Sequence, residues 1–284
     1  MRGNLVLAHP LSIRMATTPS SPRVRLRPIA LPTEHGGWGL VGAPIILGLW
    51  VAPSAAGVWL SLAALGAFLT RQPLKLALGD WRRGKRFPRT IWAERFALLY
   101  GLIALGAFAT AWLSAMHPFW LPLLLATPCA VVQFRFDMLK QSRALIAELC
   151  GATAISAVAA AIAQAAGWTL LPALLLWLLL ALQATTAIVY VGVRLRLARG
   201  TPAQRTPALL AHLGALILVT LFSTLTWPGL IGWPVLTIFA LLMLRCWIGL
   251  LPRSLRVPTL LVGAQEVGWS LLTVISIALG LHIG

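Results

Sequence analysis

Acidic residues are scarce in this chain of 284 residues, in which six Asp and Glu stand against 23 Lys and Arg. Charged residues make up only 10% of the total, whereas soluble domains carry roughly 25%. With 59% hydrophobic residues, the composition excludes a soluble globular enzyme and a disordered chain. It also excludes a nucleic-acid-binding protein, because no water-soluble domain is left to carry the basic residues once the apolar runs are set aside. The composition therefore predicts a polytopic membrane protein.

Cysteine is scarce as well. Cys129, Cys150 and Cys246 lie within or beside apolar runs, and no two of them have CxxC spacing. The sequence therefore predicts neither a disulfide framework nor a zinc site, and it indicates no other metal site.

Long apolar runs fill most of the chain. A spanning helix needs about 20 mostly apolar residues. Nine runs approach this length, so we predict an all-α transmembrane bundle of nine helices over residues 31–284. The first 30 residues lack a signal-peptide core and are rich in Pro, Ser and Arg, which predicts a disordered basic tail. The predicted spans are residues 36–53, 55–70, 96–113, 119–134, 144–166, 169–191, 208–225, 230–250 and 258–281.

The basic residues predict how the chain is threaded. All 23 fall before the first span or in and beside alternate connections, after spans 2, 4, 6 and 8. Because basic residues stay on the cytoplasmic side, we expect the N-terminus inside and, after nine spans, the C-terminus outside. The large positive charge is thus a topology signal that also attracts anionic lipid headgroups.

The acidic residues divide into two groups. Asp80, Glu94 and Asp137 lie among basic residues at span edges, which favours salt bridges or solvation. Glu148 and Glu266 instead lie inside spans 5 and 9, where a carboxylate is costly and usually faces a partner or a water-filled cavity. We therefore select these two as candidate catalytic residues, while a structural ion pair of Glu266 with Arg245 or Arg256 stays open.

Further polar residues are predicted at a similar depth. Glu34 and His35 open span 1, where a helix cap is the alternative reading, and His212 opens span 7. If these residues converge with Glu148 and Glu266, they line a cavity that opens to the cytoplasm. His212 joins the candidate catalytic residues, and the candidate ligand-binding residues are Glu34, His35, Arg71, Tyr190, Arg194, Arg196, Arg199 and Gln265.

The string Pro-Thr-Glu-His-Gly-Gly-Trp-Gly at residues 32–39 resembles the signature of the YwiC-like family of bacterial membrane proteins. Further matching strings are Arg-Gln-Pro-Leu at 71–74, Val-Tyr-Val-Gly-Val-Arg at 189–194 and the Glu266-x-Gly268 region. The resemblance implies a multi-pass protein of the bacterial inner membrane, and it carries no assigned activity or cofactor.

The layout also resembles the UbiA superfamily of intramembrane prenyltransferases, which implies nine helices around a cytoplasmic cavity. Those enzymes hold Mg²⁺ and a diphosphate with two aspartate-rich motifs, after helices 2 and 6. Here the connection after span 2 has Asp80 alone, and four arginines occupy the connection after span 6. The resemblance therefore implies the layout without the metal chemistry, and whether the protein is an enzyme stays open.

Three functional hypotheses follow. The first is a UbiA-like protein that binds an anionic lipid or isoprenoid, with the arginines at the head and Glu148 or Glu266 available for chemistry. The second is a proton-coupled transporter that uses Glu148, Glu266 and His212. The third is a non-catalytic accessory or assembly subunit whose small-residue faces pack against partner helices. The sequence does not identify a protein partner. All three hypotheses require only that the protein lies in a lipid bilayer.

Overall fold

The computed structural model describes residues 25–32, 35–226 and 232–283, so residues 1–24 of the predicted tail lie outside the described residues. Every regular element within these ranges is a helix, which confirms the predicted all-α fold. The helices are α1 Arg27–Ala30, α2 His35–Val51, α3 Ala55–Trp81, α4 Pro88–Ser114, α5 Trp120–Met138, α6 Leu145–Ala165, α7 Leu170–Ala198, α8 Thr206–Leu221, α9 Trp233–Gly249 and α10 Thr259–Ile283.

Nine of these helices are long, and each overlaps one predicted span. Six, namely α4 to α8 and α10, are long and apolar enough to cross a membrane, with α8 continued to 224 by a π-helical turn. The apolar helices α2 and α9 are shorter, at 17 residues each. Helix α3 has 27 residues, but Arg71 and Lys75 lie within it. The structure thus confirms a multi-pass helical protein, while the orientation of its termini stays a prediction.

Three helices continue well beyond the predicted spans. Helix α3 continues to Trp81, α4 begins at Pro88 and α7 continues to Ala198. The predicted boundaries at 70, 96 and 191 were wrong as helix ends, because hydropathy reports where apolar surface stops and not where helical hydrogen bonding stops. Charged residues such as Arg and Lys are good helix formers, so a helix can continue past its apolar segment.

Helix α6 lies at the centre of the bundle and packs against α2, α3, α5 and α7. Its small residues are buried, and Gly48 and Gly57 approach Ile162 so closely that an added Cβ would lie 2.9 Å from the isoleucine side chain. The small-residue face of this helix therefore serves internal packing, as close approach of helix backbones requires.

The connections α3–α4, α5–α6, α7–α8 and α9–α10 carry ten basic residues, and others lie in the helices beside them. We call this the basic end of the bundle. Two carboxylates are buried here. Asp137 of α5 accepts hydrogen bonds from both Nε and Nη2 of Arg71 on α3. Asp80 accepts a two-point contact from Arg89 and a hydrogen bond from Thr90 Oγ1 at 2.8 Å. The prediction that acidic residues at span edges form salt bridges is confirmed for both.

Asp80 lies beyond the apolar segment of α3, among basic side chains. The hydrogen bond from Arg89 holds the pKa of Asp80 below its ordinary value of 3.8, although burial of the carboxylate acts in the opposite direction. The contribution of this pair to stability is therefore present above that pH and is lost as the pH falls through the lowered pKa.

Replacing Asp137 with Asn should destabilise the bundle. The Asp137 side chain is 1% exposed and Arg71 is 30% exposed, so the variant leaves a partly buried guanidinium without its charged partner. We expect a loss of about 2 kcal/mol in the free energy of unfolding, less than for a fully buried pair. Thermal unfolding in a mild detergent measures it. Glu94→Gln is the matched control, because its partner Arg86 is 65% exposed and a glutamine can still accept from Trp81 Nε1, so the loss of this pair should change stability less. Equal effects of the two substitutions would contradict this reading.

Candidate functional site

Helices α7, α8, α9 and α10 bring polar side chains together inside an otherwise apolar part of the bundle. The residues lie near the basic end of these helices. We call the group the Arg245 cluster, and its members are Tyr190 and Arg194 of α7, His212 of α8, Arg245 of α9, and Gln265 and Glu266 of α10.

An ion pair between Arg245 and Glu266 forms the centre of the cluster. Arg245 Nη1 donates a hydrogen bond of 2.7 Å to Glu266 Oε2, and the two side chains are 9% and 17% exposed. A single charge at the middle of a membrane helix costs about 2.5–3.5 kcal/mol on insertion scales. Pairing lowers this free-energy cost for both residues. The ion pair of Glu266 that the sequence left open is therefore present, and Arg245 is a partner.

Tyr190 packs between the charged members. Its side chain is fully buried, and the Arg245 guanidinium lies 4.4 Å from the centre of its ring, within cation–π range. Its hydroxyl accepts a hydrogen bond of 2.8 Å from Arg194 Nη1. Helix α9 makes room for this hydroxyl with Gly249, where an added Cβ would lie 1.9 Å from Tyr190 Oη.

Arg194 ties the cluster to the connection between α9 and α10. Its Nη2 donates to the backbone carbonyl of Ser254 at 3.1 Å, and its Nη1 also approaches Gln265 Oε1 at 3.4 Å. Arg194 is 6% exposed, whereas Gln265 lies at the bundle surface. A polar route therefore leads from the surface of α10 to the buried guanidinium.

His212 is the buried imidazole of the cluster, 2% exposed, and its ring meets Tyr190 edge-on with centroids 6.2 Å apart. Its Nδ1 lies 2.8 Å from the carbonyl oxygen of Ala208, four residues earlier on α8. A carbonyl can only accept, so Nδ1 carries the hydrogen, and Nε2 is the atom available to a further partner.

Several polar atoms of the cluster are buried without a hydrogen-bond partner among the described residues. They are Arg245 Nε and Nη2, Glu266 Oε1 and His212 Nε2. Buried polar groups are nearly always paired, and a cluster of unpaired ones points to a missing partner such as a ligand. The cluster can therefore offer two donors from one guanidinium beside an acceptor from one carboxylate.

Other predicted site residues lie elsewhere. Arg71 pairs with Asp137, and Glu148 lies exposed in the first turn of α6. Arg196 and Arg199 are exposed at the end of α7, so of the three arginines predicted to act together only Arg194 enters the cluster. Glu34 and the side chain of His35 lie outside the described residues.

The sequence analysis named Arg245 as one possible partner of Glu266, near the end of predicted span 8, but did not select it as a site residue. The structure places it inside α9, four residues before the helix ends. The signal was available, since the argument that selected Glu266, a charge within an apolar run, applies equally to Arg245.

The fold and the buried cluster define a multi-pass helical membrane protein with charged groups held inside its helices. Residues 31–163 match the family model described as YwiC-like protein, which confirms the resemblance to that family over this segment. The segment contains the strings at 32–39 and 71–74. The Arg245 cluster, on α7 to α10, lies outside it. No curated protein and no solved structure matches the chain. The UbiA-like arrangement accordingly stays a prediction.

Replacing Gly249 with Ala should disrupt the cluster without touching any of its charges. The new methyl group would overlap Tyr190 Oη and lie 2.8 Å from Cζ, so the tyrosine must move away from Arg194. Overpacking of this kind costs about 1–3 kcal/mol, which thermal unfolding in detergent would detect. Gly263→Ala on α10 is the control, because nothing lies within 4 Å of its added Cβ and alanine favours a helix. If both variants unfold at the temperature of the wild type, the close packing of the Tyr190 hydroxyl against Gly249 is contradicted.

Proposed function

We propose that this protein binds a singly charged anionic lipid or isoprenoid in a cytoplasm-facing cavity formed by the Arg245 cluster. The observation that carries the proposal is the free edge of the Arg245 guanidinium. Nη1 is occupied by Glu266, while Nε and Nη2 are both buried and have no hydrogen-bond partner in the described part of the chain. These two N–H groups point the same way from one edge of a planar guanidinium, which is the geometry that takes two oxygens of a carboxylate or phosphate.

The charge of the cluster supports a single negative charge on the ligand. Arg194 and Arg245 carry two positive charges and Glu266 one negative charge, which leaves one positive charge in excess. A monoanion balances it in a region where unbalanced charge is expensive. A diphosphate carries more negative charge than the cluster can balance, in keeping with the lack of aspartate-rich magnesium motifs.

The surroundings of the cluster support a lipid-like ligand. Gln265 accepts a hydrogen bond from Arg194 and lies at the bundle surface. Leu261 and Val267 lie on either side of it along α10, and both of these apolar side chains are exposed. An anionic head that enters beside Gln265 leaves its apolar tail along this surface of α10. Because the unpartnered atoms of Arg245 and Glu266 are buried, we expect α9 and α10 to separate locally at their basic ends when the ligand enters.

Binding of an anionic lipid should depend on the two-point contact that Nε and Nη2 of Arg245 can make. Native mass spectrometry of the protein in neutral detergent, with equal amounts of phosphatidylglycerol and phosphatidylcholine, should show the anionic lipid retained at least tenfold over the zwitterionic one. Arg245→Lys keeps the charge but loses the two-point contact, so the preference should fall several-fold.

Two controls accompany this measurement. Arg196→Lys changes an exposed arginine of α7 and should leave the preference unchanged. Arg245→Met combined with Glu266→Leu removes both charges together, which folded proteins tolerate better than removal of one, and should abolish the preference. Retention of the preference in this double variant would overturn the proposal.

A second measurement addresses the direction from which the cluster opens. Gln183, Thr186, Tyr190 and Arg194 follow helical spacing on one buried face of α7, so polar groups continue inward from the cluster. In a variant that lacks the three native cysteines, Thr186→Cys should react with a membrane-impermeant maleimide from the basic side alone. Labelling from both sides would instead favour the proton-coupled transporter, which requires alternating access.

A further inference from the structure

Positive charge is also concentrated at the connection between α5 and α6. Residues 140–144 of this connection line a cavity of about 440 Å³, which we call the α5–α6 cavity. Pockets that bind small molecules have volumes of roughly 300–1,000 Å³, so this space is sufficient for a phosphorylated headgroup. Lys140 and Arg143 both belong to the lining, and both are exposed.

Two further cations reach this connection from the side of α3. Lys75, half-buried on α3, donates a hydrogen bond of 3.4 Å from Nζ to Ser142 Oγ. Arg82, directly after α3, donates one of 3.3 Å from Nη1 to the backbone carbonyl of Met138. Because Ser142 lines the α5–α6 cavity, the Lys75 ammonium lies at its edge. Four cations therefore meet at one connection.

Carboxylates do not balance these four cations. Among the described residues, none of the four forms an ion pair. Asp137, the carboxylate nearest to Lys140 along the chain, already accepts two hydrogen bonds from Arg71. Glu148 lies exposed in the first turn of α6. Even when Glu148 is counted, four cations less one carboxylate leave three positive charges in excess.

The backbone at Lys140 is an independent indication of function. Its φ is 60°, and within the described ranges it is the only non-glycine residue with a positive φ. The connections α3–α4 and α7–α8 place glycines, Gly84 and Gly200, in this left-handed conformation. Glycine adopts it without strain, whereas a lysine does not. Backbone strain of this kind is concentrated at functional sites, so the charge of Lys140 is expected to have a use that offsets it.

The excess of charge indicates which kind of anion fits. A single ion pair at an exposed site contributes little, so a ligand with one negative charge gains little here. A phosphomonoester carries close to two negative charges and three acceptor oxygens, and it can accept from several of these cations at once. The apolar side chains of Leu139, Leu145 and Ile146 are exposed beside the cavity, where the acyl chains of a lipid can contact them.

We propose that the α5–α6 cavity binds the doubly charged phosphate of a phosphomonoester. Lys140 and Arg143 hold the phosphate from the connection, and Lys75 approaches it from α3 beside Ser142. The phosphate can be the headgroup of a lipid or part of a water-soluble ester, and both share this chemistry. None of these residues belongs to the Arg245 cluster, so this binding does not depend on the proposed function.

A variant without the central ion pair of the Arg245 cluster tests the cavity by itself. Native mass spectrometry is performed on the protein with Arg245→Met and Glu266→Leu, in neutral detergent at slightly alkaline pH. Phosphatidic acid, a phosphomonoester, should be retained about tenfold better than an equal amount of phosphatidylglycerol, a diester with one charge. Equal retention of the two lipids, or retention of neither, would overturn the inference.

Lys140→Gly combined with Arg143→Gln removes two charges from the lining of the cavity. Glycine suits the backbone at position 140, so the turn is not disturbed. Added to the variant above, these changes should lower the retention of phosphatidic acid about tenfold. In the otherwise wild-type protein they should leave the preference for phosphatidylglycerol over phosphatidylcholine unchanged, because that preference is assigned to the Arg245 cluster. Retention of phosphatidic acid that survives both substitutions would contradict this site.

The matched control removes two charges from another connection. Arg196→Gln combined with Arg199→Gln changes two exposed arginines at the end of α7, with the same loss of net charge. Phosphatidic acid should be retained as before. An equal loss in this control would show that net charge, and not the α5–α6 cavity, determines retention, and would overturn the proposal.

A final arm distinguishes the two sources of the phosphate. Water-soluble glycerol 3-phosphate is added in excess to the protein loaded with phosphatidic acid. Displacement of the lipid assigns the cavity to the phosphate ester itself, and retention assigns it to a lipid whose acyl chains contribute to binding. Both outcomes support a phosphomonoester and differ only in its source.

Discussion

The ion pair between Arg245 and Glu266 is the interaction on which the α7–α10 half of this protein depends. Each residue lies inside an apolar helix, and neither charge could stay there alone at acceptable cost. The pair also positions its neighbours. Tyr190 packs against the Arg245 guanidinium, and its hydroxyl accepts a hydrogen bond from Arg194. Among the described residues the pair uses only one nitrogen and one oxygen, and the remaining polar atoms are the basis of the proposed binding.

The basic end of the bundle uses carboxylates in two different ways. Asp137 and Asp80 are satisfied, since two-point contacts from Arg71 and Arg89 use both oxygens of each carboxylate. These pairs join α3 to α5 and α3 to α4, and they read as structural. Within the described ranges, Glu266 has one oxygen without a hydrogen-bond partner, and its partner Arg245 has two such nitrogens. This difference in hydrogen bonding, rather than the depth of either carboxylate, separates the binding candidate from the structural pairs.

The structure brings some of the predicted site residues together and places others apart, and the reasons are local. Glu266 was selected as a carboxylate inside a span, and the structure brings it together with four other selected residues, His212, Tyr190, Arg194 and Gln265. Arg196 and Arg199 were selected with Arg194 because they are close in sequence. On a helix, positions two and five apart lie about 200° and about 140° apart around the axis, so Arg196 and Arg199 do not face inward with Arg194. Arg245 was named only as one possible partner of Glu266, because the sequence does not show which sides of two helices face each other.

By itself, the sequence determined the membrane class, the nine helices and the alternation of basic connections, because apolar length and charge are properties of single segments. It also showed that Glu266 needs a partner, since the cost of a buried carboxylate does not depend on the fold. Only the tertiary structure decided which residue that partner is and which atoms remain unpaired. Those depend on how α9 and α10 are rotated against each other and on the space that Gly249 leaves for Tyr190, and packing between distant segments sets both.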